Sequence, residues 1–372
     1  MTKYIFIGLF FCFCACKQEN ISSKIPVMLD DGIETASLKD GGLDETVIKA
    51  MADSIANGDY PNIHSVLILR NNKLVYENYW PGQDEIRTTD FVGLRQHHRD
   101  SLHDIRSITK SIVSAAMMIA IEQGKIKDVE QRIFDFFPEY KKYDTAQKSI
   151  ITIKHLLTMS SGLYWSDDDP DFDDSLKTNT VTYGLDFILK QPIVSEPGTT
   201  FFYNNSSTQL LATILERATG MNIEEFTAKN LFEPLEIKHW DWTKEENGWI
   251  CACAGLRMRS RDLAKLGMLY FNNGKWKDRQ IIPARLMEEA ISRHINPDKN
   301  SGYGYQFWMW TDTIKGKVVN ITEAPGSGGQ KIIFNKEKNL LLVITAGNYR
   351  NNNLRKSSYD LYLDFVYPAI NK

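Results

Sequence analysis

Three short stretches carry residue types that could together perform nucleophilic chemistry. The first is Ser107-Ile-Thr-Lys110, just ahead of the apolar run from Ile112 to Ile121. At the start of a helix, residues three apart share a face, so the lysine amine can reach the serine hydroxyl. A serine hydroxyl is a weak nucleophile until a neighbouring base takes its proton. An amine at the mouth of an apolar helix is partly desolvated, which favours the neutral, proton-accepting form. The second stretch is Tyr203-Asn-Asn205, after the turn at Pro197-Gly198. A phenol beside an ammonium can carry protons, and the Asn205 amide offers donors and an acceptor. By itself this segment reads equally well as a helix cap with a packed aromatic. The third is Pro325-Gly-Ser-Gly-Gly-Gln330, before a strand at Lys331 to Asn335. Glycines let a substrate approach the backbone closely, and an edge strand can present N–H groups to a developing oxyanion. Alone, such a run is more often a tight turn.

The elements that must position these residues follow from periodicity. Leu43, Val47, Met51 and Ile55 fall at helical spacing, and Gly58 closes that helix. Ser65–Arg70 and Leu74–Tyr79, joined by Asn71-Asn72-Lys73, predict a β-hairpin. The segment from about 107 to 290 reads as mostly helical, with an apolar helix ending at Gly124, a second from Ser207 to Thr219 closed by Gly220, and a third from Ser260 to Phe271. Four further strands are expected at Tyr303–Trp310, Lys317–Thr322, Lys331–Asn335 and Leu340–Thr345, with a hairpin turn at Lys336–Asn339 and a closing helix marked by Leu354, Leu361 and Phe365. Strands at both ends with helices between predict an α+β fold, an α/β sandwich. Its antiparallel sheet is built from both chain ends and flanked by helices, and the helical lobe is inserted. A cleft between sheet and lobe is the natural ligand site.

Ser-x-x-Lys, Tyr-x-Asn and the glycine-rich strand entry occur in that order, about 95 and about 120 residues apart. The stretches Ile151-Thr-Ile-Lys-His-Leu-Leu-Thr-Met-Ser-Ser-Gly-Leu163 and Ala254-Gly-Leu-Arg-Met-Arg-Ser-Arg-Asp-Leu-Ala-Lys-Leu-Gly267 accompany them. In this combination the chain resembles the serine β-lactamase-like superfamily over roughly residues 43–368, and within it the branch of class C β-lactamases, DD-peptidases and esterases. It is also similar to the 6-aminohexanoate-oligomer hydrolases of that branch. The resemblance implies attack by Ser107 on a carbonyl, assisted by Lys110 and Tyr203, with Asn205 orienting the substrate and Lys110. It implies an oxyanion site at the backbone N–H groups of Ser107 and Gly329, with Gly326, Ser327, Gly328 and Gly329 as the third motif. It implies no cofactor and a small-molecule substrate.

One departure narrows the substrate. The family's third motif usually begins with Lys or His, the cation that greets a substrate carboxylate; here it begins with Gly326. Lys331 is near in sequence, but strand alternation can point it elsewhere. β-Lactams and peptidoglycan stems carry that carboxylate, so an ester or small amide is expected instead. The alternatives are a penicillin-binding-like DD-peptidase and a sensor that acylates without turnover.

The 372 residues have a formal net charge of −3, with 42% hydrophobic and 24% charged residues. This balance lacks the basic character of a nucleic-acid binder. Residues 1–16 read as an export signal of lipoprotein type: Lys3, an apolar run from Tyr4 to Ala15, then Cys16 as the lipidated residue. The run is too short to span about 30 Å of hydrocarbon. Residues 17–40 read as a polar tether, leaving 41–372 as the hydrolase domain of an exported protein, periplasmic or at the cell surface, with membrane contact only through the lipid. Cys251-Ala-Cys253 reads as two buried thiols, because bridging such near neighbours is strained and no Cys/His pair at zinc spacing accompanies them. No metal site is expected. The aspartates between Trp165 and Asp174 read as a solvated acidic loop, lacking the glycine and terminal glutamate of a calcium loop. His155 reads as structural, and His97-His98 as an exposed loop. No Gly-x-Ser-x-Gly, His-Glu-x-x-His or Walker motif occurs.

Overall fold

A computed structural model describes residues 25–87, 90–166, 184–244, 248–314, 316–349, 351 and 354–370. Cys16, the export signal and most of the acidic loop lie outside the described residues.

The centre is a seven-stranded antiparallel sheet. Its strands, in chain order, are β1 (Ile63–Arg70), β2 (Lys73–Tyr79), β3 (Ser301–Tyr303), β4 (Trp308–Ile314), β5 (Lys317–Gly326), β6 (Gln330–Asn335) and β7 (Leu340–Ala346), arranged β3-β4-β5-β6-β7-β1-β2. The amino-terminal hairpin therefore docks on the carboxy-terminal strands through the β1–β7 pair, with Val66 opposite Ile344 and Ile68 opposite Leu342. Asn71 and Asn72 both have positive φ, 50° and 63°, the pair of left-handed residues that a tight hairpin turn requires.

Alternation sends the two faces of the sheet to different cores. Val66, Ile68, Ile333, Leu342 and Ile344 pack against helix α1 (Glu45–Ala56) and the closing helical segment at Ser358–Val366. Leu67, Leu69, Ile332, Phe334, Leu341 and Val343 face the helical side. There α2 (Ile108–Glu122) is buried at every residue from Ile108 to Ile121, as its apolar sequence requires. It packs beside α3 (Asn205–Thr219), which Asn204 caps by accepting the N–H groups of Ser206 and Ser207. Helix α4 (Ser260–Phe271) lies on the sheet itself. An added Cβ at Gly267 would come within 2.7 Å of Leu341, so the missing side chain sets the close approach of helix to strand. Residues 260–271 thus belong to the sheet layer rather than to the inserted lobe.

Two expectations need correction. The strand expected from Tyr303 to Trp310 is broken at Gly304–Phe307, where Gln306 turns with φ 66°. Long-range bonds impose the break. The Gln306 amide donates to the carbonyls of Leu156 and Leu157, its Oε1 accepts from Thr208, and its own carbonyl accepts from Ser111. The supposed tether is tied to the domain from Val27 onward, though Ile25, Val27 and Met28 keep exposed side chains. Ile33 and Leu38 are buried, Leu74 donates its N–H to Glu34, and buried Arg261 holds Asp31, Glu77 and the Val27 carbonyl together. No helix among the described residues is long and apolar enough to cross a membrane.

Candidate active site

Ser107 stands at the amino end of α2, where unsatisfied N–H groups favour developing negative charge. The residue before it, Arg106, has φ 50°, a costly conformation for a residue with a side chain. Its surroundings hold it there. The guanidinium donates to Glu85 at 3.0 Å, lies 3.4 Å from Asp104, and stacks over the Tyr349 ring at 4.4 Å.

One turn into the helix, Lys110 is 1% exposed. Its amine donates to Ser107 Oγ at 3.0 Å and to the Cys253 carbonyl at 2.6 Å. The helical spacing therefore delivers the expected pairing, while a backbone carbonyl from a distant loop fixes the amine's other side. Cys251 and Cys253 are buried thiols with their sulfurs 3.9 Å apart. The hydrogen bond it shares with Cys253 and then burial push the Cys251 thiol upward, so it stays protonated and inert.

Tyr203 meets the pair from the other side, with the Lys110 amine 5.0 Å from its ring centroid. The approach to its loop is fixed by Phe202 and Asn204, whose N–H groups reach the Met159 carbonyl and sulfur. The Asn204 amide bonds to the Leu163 carbonyl at 3.0 Å. Asn204 is the helix cap and Asn205 the first helical residue, half-buried beside Tyr203. A wall of aromatics extends from Tyr203. Trp308 stacks on it at 6.3 Å, Phe201 and Tyr303 meet Trp308 edge-on, and Trp310 stacks on Trp308 at 5.2 Å. Sequence reasoning missed this wall, because Trp308 is brought in by the break at Gln306.

The third motif lies at the turn between β5 and β6. Gly326 abuts the segment that carries Ser107: an added Cβ would sit 2.3 Å from the Ile105 carbonyl oxygen. Gly328 and Gly329 have φ 88° and 98°, and Ser327 is exposed. The Gly329 N–H donates to the Gly326 carbonyl at 3.2 Å, so in this structure it closes the turn. Gln330 pins the turn, accepting the Ala346 N–H and donating to the Ala346 and Ser327 carbonyls. Lys331 points through the opposite face of the sheet, where Glu323 binds it at 3.0 and 3.1 Å and Tyr359 lies beneath it. It is not a cation of this site.

His155 is structural: its Nδ1 accepts the Thr152 N–H at 3.2 Å. His97 is not an exposed loop residue. Its ring stacks on His64 at 3.8 Å. Two open clefts of about 690 and 620 Å³ lie away from Ser107, one beside Gly32, Lys73 and Trp276, the other beside Asp298, Lys331 and Tyr359.

Residues 44–364 match the family model described as Beta-lactamase. The chain belongs to that family. An uncharacterized protein of Alkalihalophilus pseudofirmus is 24% identical over 66% of this chain and 69% of its own length; several other curated relatives are covered over less than half of theirs. Among solved structures, the putative 6-aminohexanoate-dimer hydrolase of Bacillus anthracis superposes with a TM-score of 0.67 at 21% identity, covering 85% of this chain and 81% of that one. The hydrolase EstCE1, with promiscuous acyltransferase activity, gives 0.69 at 16% identity over 90% of this chain and all of its own. These likenesses show the fold. The family is one of hydrolases with the serine β-lactamase fold, and the architecture here agrees.

Proposed function

We propose that this protein is a serine hydrolase that cleaves an ester or small amide through an acyl-enzyme, with Ser107 as nucleophile. The observation that carries this reading is the buried Lys110 amine, held 3.0 Å from Ser107 Oγ. Ser107 Oγ adds to the substrate carbonyl while its proton passes to Lys110 and Tyr203. The tetrahedral oxyanion rests on the Ser107 N–H and on an N–H of the glycine turn, that of Gly329 once its long bond to Gly326 opens. Tyr203 returns the proton to the leaving oxygen or nitrogen. Water then attacks the acyl-serine by the reverse transfers, and Asn205 orients the bound acyl group.

The charge pattern supports an uncharged or weakly polar acyl chain. The third motif offers no lysine or histidine, Lys331 is committed to Glu323 across the sheet, and aromatic rings flank Tyr203. The test is a turnover panel of p-nitrophenyl esters, short amides, D-Ala-D-Ala peptides and nitrocefin, with Ser107→Ala as control. Ester or amide turnover abolished by Ser107→Ala is expected. Nitrocefin turnover at enzyme-like rates would overturn the substrate assignment, and full activity of Ser107→Ala the mechanism. An acyl-enzyme that forms and never clears would make the protein a sensor. We also propose export and lipidation at Cys16; labelled palmitate that enters the wild type and is absent from Cys16→Ala tests this.

A further inference from the structure

Behind the strand that leads into Ser107, His97 and His103 meet His64, which lies more than thirty residues earlier in the sequence. His64 lies on β1, His103 on the two-residue strand His103–Asp104, and His97 in the connection between them. One ring nitrogen from each lies within 4.8 Å of the others. Glycines grip the His64 ring: an added Cβ would come within 2.4 Å of it at Gly82 and 2.6 Å at Gly347.

The protons in this cluster can be assigned from their partners. The Asp104 carbonyl can only accept, so His103 Nδ1 donates to it at 3.0 Å. The Asn62 amide is oriented by Gln83, donating to its carbonyl at 2.7 Å and accepting its N–H at 2.6 Å. The Asn62 oxygen therefore faces His64 Nε2 at 3.3 Å, and that nitrogen carries the hydrogen. The inner nitrogens, His64 Nδ1 and His103 Nε2, are then two bare lone pairs 2.8 Å apart. His97 Nε2 is buried without a hydrogen-bond partner. The Asp84 carboxylate, 5% exposed, stands 3.9 Å from His103 Nε2. Lone pairs so arranged repel unless a cation lies among them.

We propose that His64, His97 and His103 bind a divalent transition-metal ion of the zinc type, with Asp84 as fourth ligand. Imidazole nitrogens suit zinc, nickel and copper. Donation of the outer ring N–H to a carbonyl or amide oxygen is the arrangement that orients metal-binding histidines. Tetrahedral zinc places ligand nitrogens about 3.3 Å apart. The His64–His103 pair, at 2.8 Å, would open by about half an ångström, and His97 would close on the metal by tilting out of its stack. A proton shared between His64 and His103 is the competing cation. A proton would bridge that pair alone and leave the buried His97 Nε2 without a partner. The metal would be structural. Asp104 follows His103 directly and pairs with Arg106, the strained residue before Ser107, so the ion pins the strand that presents the nucleophile.

The full chain, purified without a polyhistidine tag, is stripped with chelator and titrated with zinc against a chromogenic competitor. One tight equivalent is expected in the wild type and none in His97→Ala, a loop substitution. Asn62→Ala retains the ligands and weakens binding about 10- to 100-fold. Stripping lowers the wild-type melting temperature and leaves that of His97→Ala unchanged. Cobalt(II) in the wild type gives the absorption of a four-coordinate site. Absence of stoichiometric zinc or cobalt uptake by the wild type overturns the proposal, as does uptake that His97→Ala retains. Because binding is read directly, this result is independent of whether Ser107 hydrolyses anything.

Discussion

Lys110→Met removes the amine and keeps the bulk of the buried side chain. Two hydrogen bonds disappear, the 3.0 Å bond to Ser107 Oγ and the 2.6 Å bond to the Cys253 carbonyl. A positioned proton acceptor is worth about 10²- to 10⁴-fold in rate, which is about 3–5 kcal/mol of barrier. The folding cost is smaller and partly cancels. A buried carbonyl left without its donor costs about 1–3 kcal/mol, whereas exchanging a buried amine for an apolar chain of similar volume recovers desolvation. A melting temperature close to wild type is therefore expected alongside a kcat/KM reduced by about 10²- to 10⁴-fold. Ester turnover, the rate of fluorophosphonate labelling read by intact-protein mass spectrometry, and a circular dichroism melt separate the two effects. Lys110→Arg sharpens the test, because a guanidinium carries a fixed positive charge and cannot accept the proton at ordinary pH. It should be as inactive as Lys110→Met. An Lys110→Met protein that labels and turns over within about threefold of wild type shows no proton-acceptor contribution and ends the role assigned to the amine.

Gly326→Ala drives a methyl group into the Ile105 carbonyl, 2.3 Å away; ester turnover should collapse even where the melt shows a folded protein, and normal turnover would show that the glycine turn does not register Ser107. Arg261→Met strips Glu77 on β2 and Asp31 in the packed amino-terminal segment of their shared guanidinium, leaving Glu77 only the Tyr79 hydroxyl and Arg99 at 3.9 Å. Removing the main cation from a buried ion-pair set should cost about 3–5 kcal/mol in a urea unfolding curve, and a loss below about 1 kcal/mol, the value of a surface pair, would refute that account. His155 caps its helix as a neutral acceptor, and burial holds it below the usual histidine value. Below about pH 6.5 the unfolded chain takes up a proton that the folded one resists, so this contribution is complete above that pH and fades as pH falls. The drop in melting temperature between neutral and mildly acidic pH should be smaller in His155→Gln than in wild type; equal drops would remove the cap from the explanation.

The parts legible in the sequence are those whose geometry is local. Ser107 and Lys110 share a helix face, so spacing alone placed the amine beside the hydroxyl. The apolar run of α2 announced its all-round burial, and two asparagines marked the turn between β1 and β2. The order of strands and helices was enough to join the two chain ends in one antiparallel sheet. What stayed hidden depends on groups that have no sequence signature. The Cys253 acceptor is a backbone carbonyl, and any residue would supply it. The break at Gln306 is set by carbonyls of Leu156 and Leu157, nearly half the chain away, and an alternating aromatic run conceals it. Asn204, between the two residues singled out, does the capping, because a single register step decides which asparagine turns inward. The three histidines show the same limit most sharply. His64 and His103 are 39 residues apart, and no metal-site spacing links them. They meet because β1 pairs with β7, while the chain returns past His97 to start α2 at the same end. A site assembled by closure of the sheet is written in the topology, so its ligands become visible only after the fold is known. Ser107 lies four residues beyond His103, and the force that holds it in place comes from that same closure.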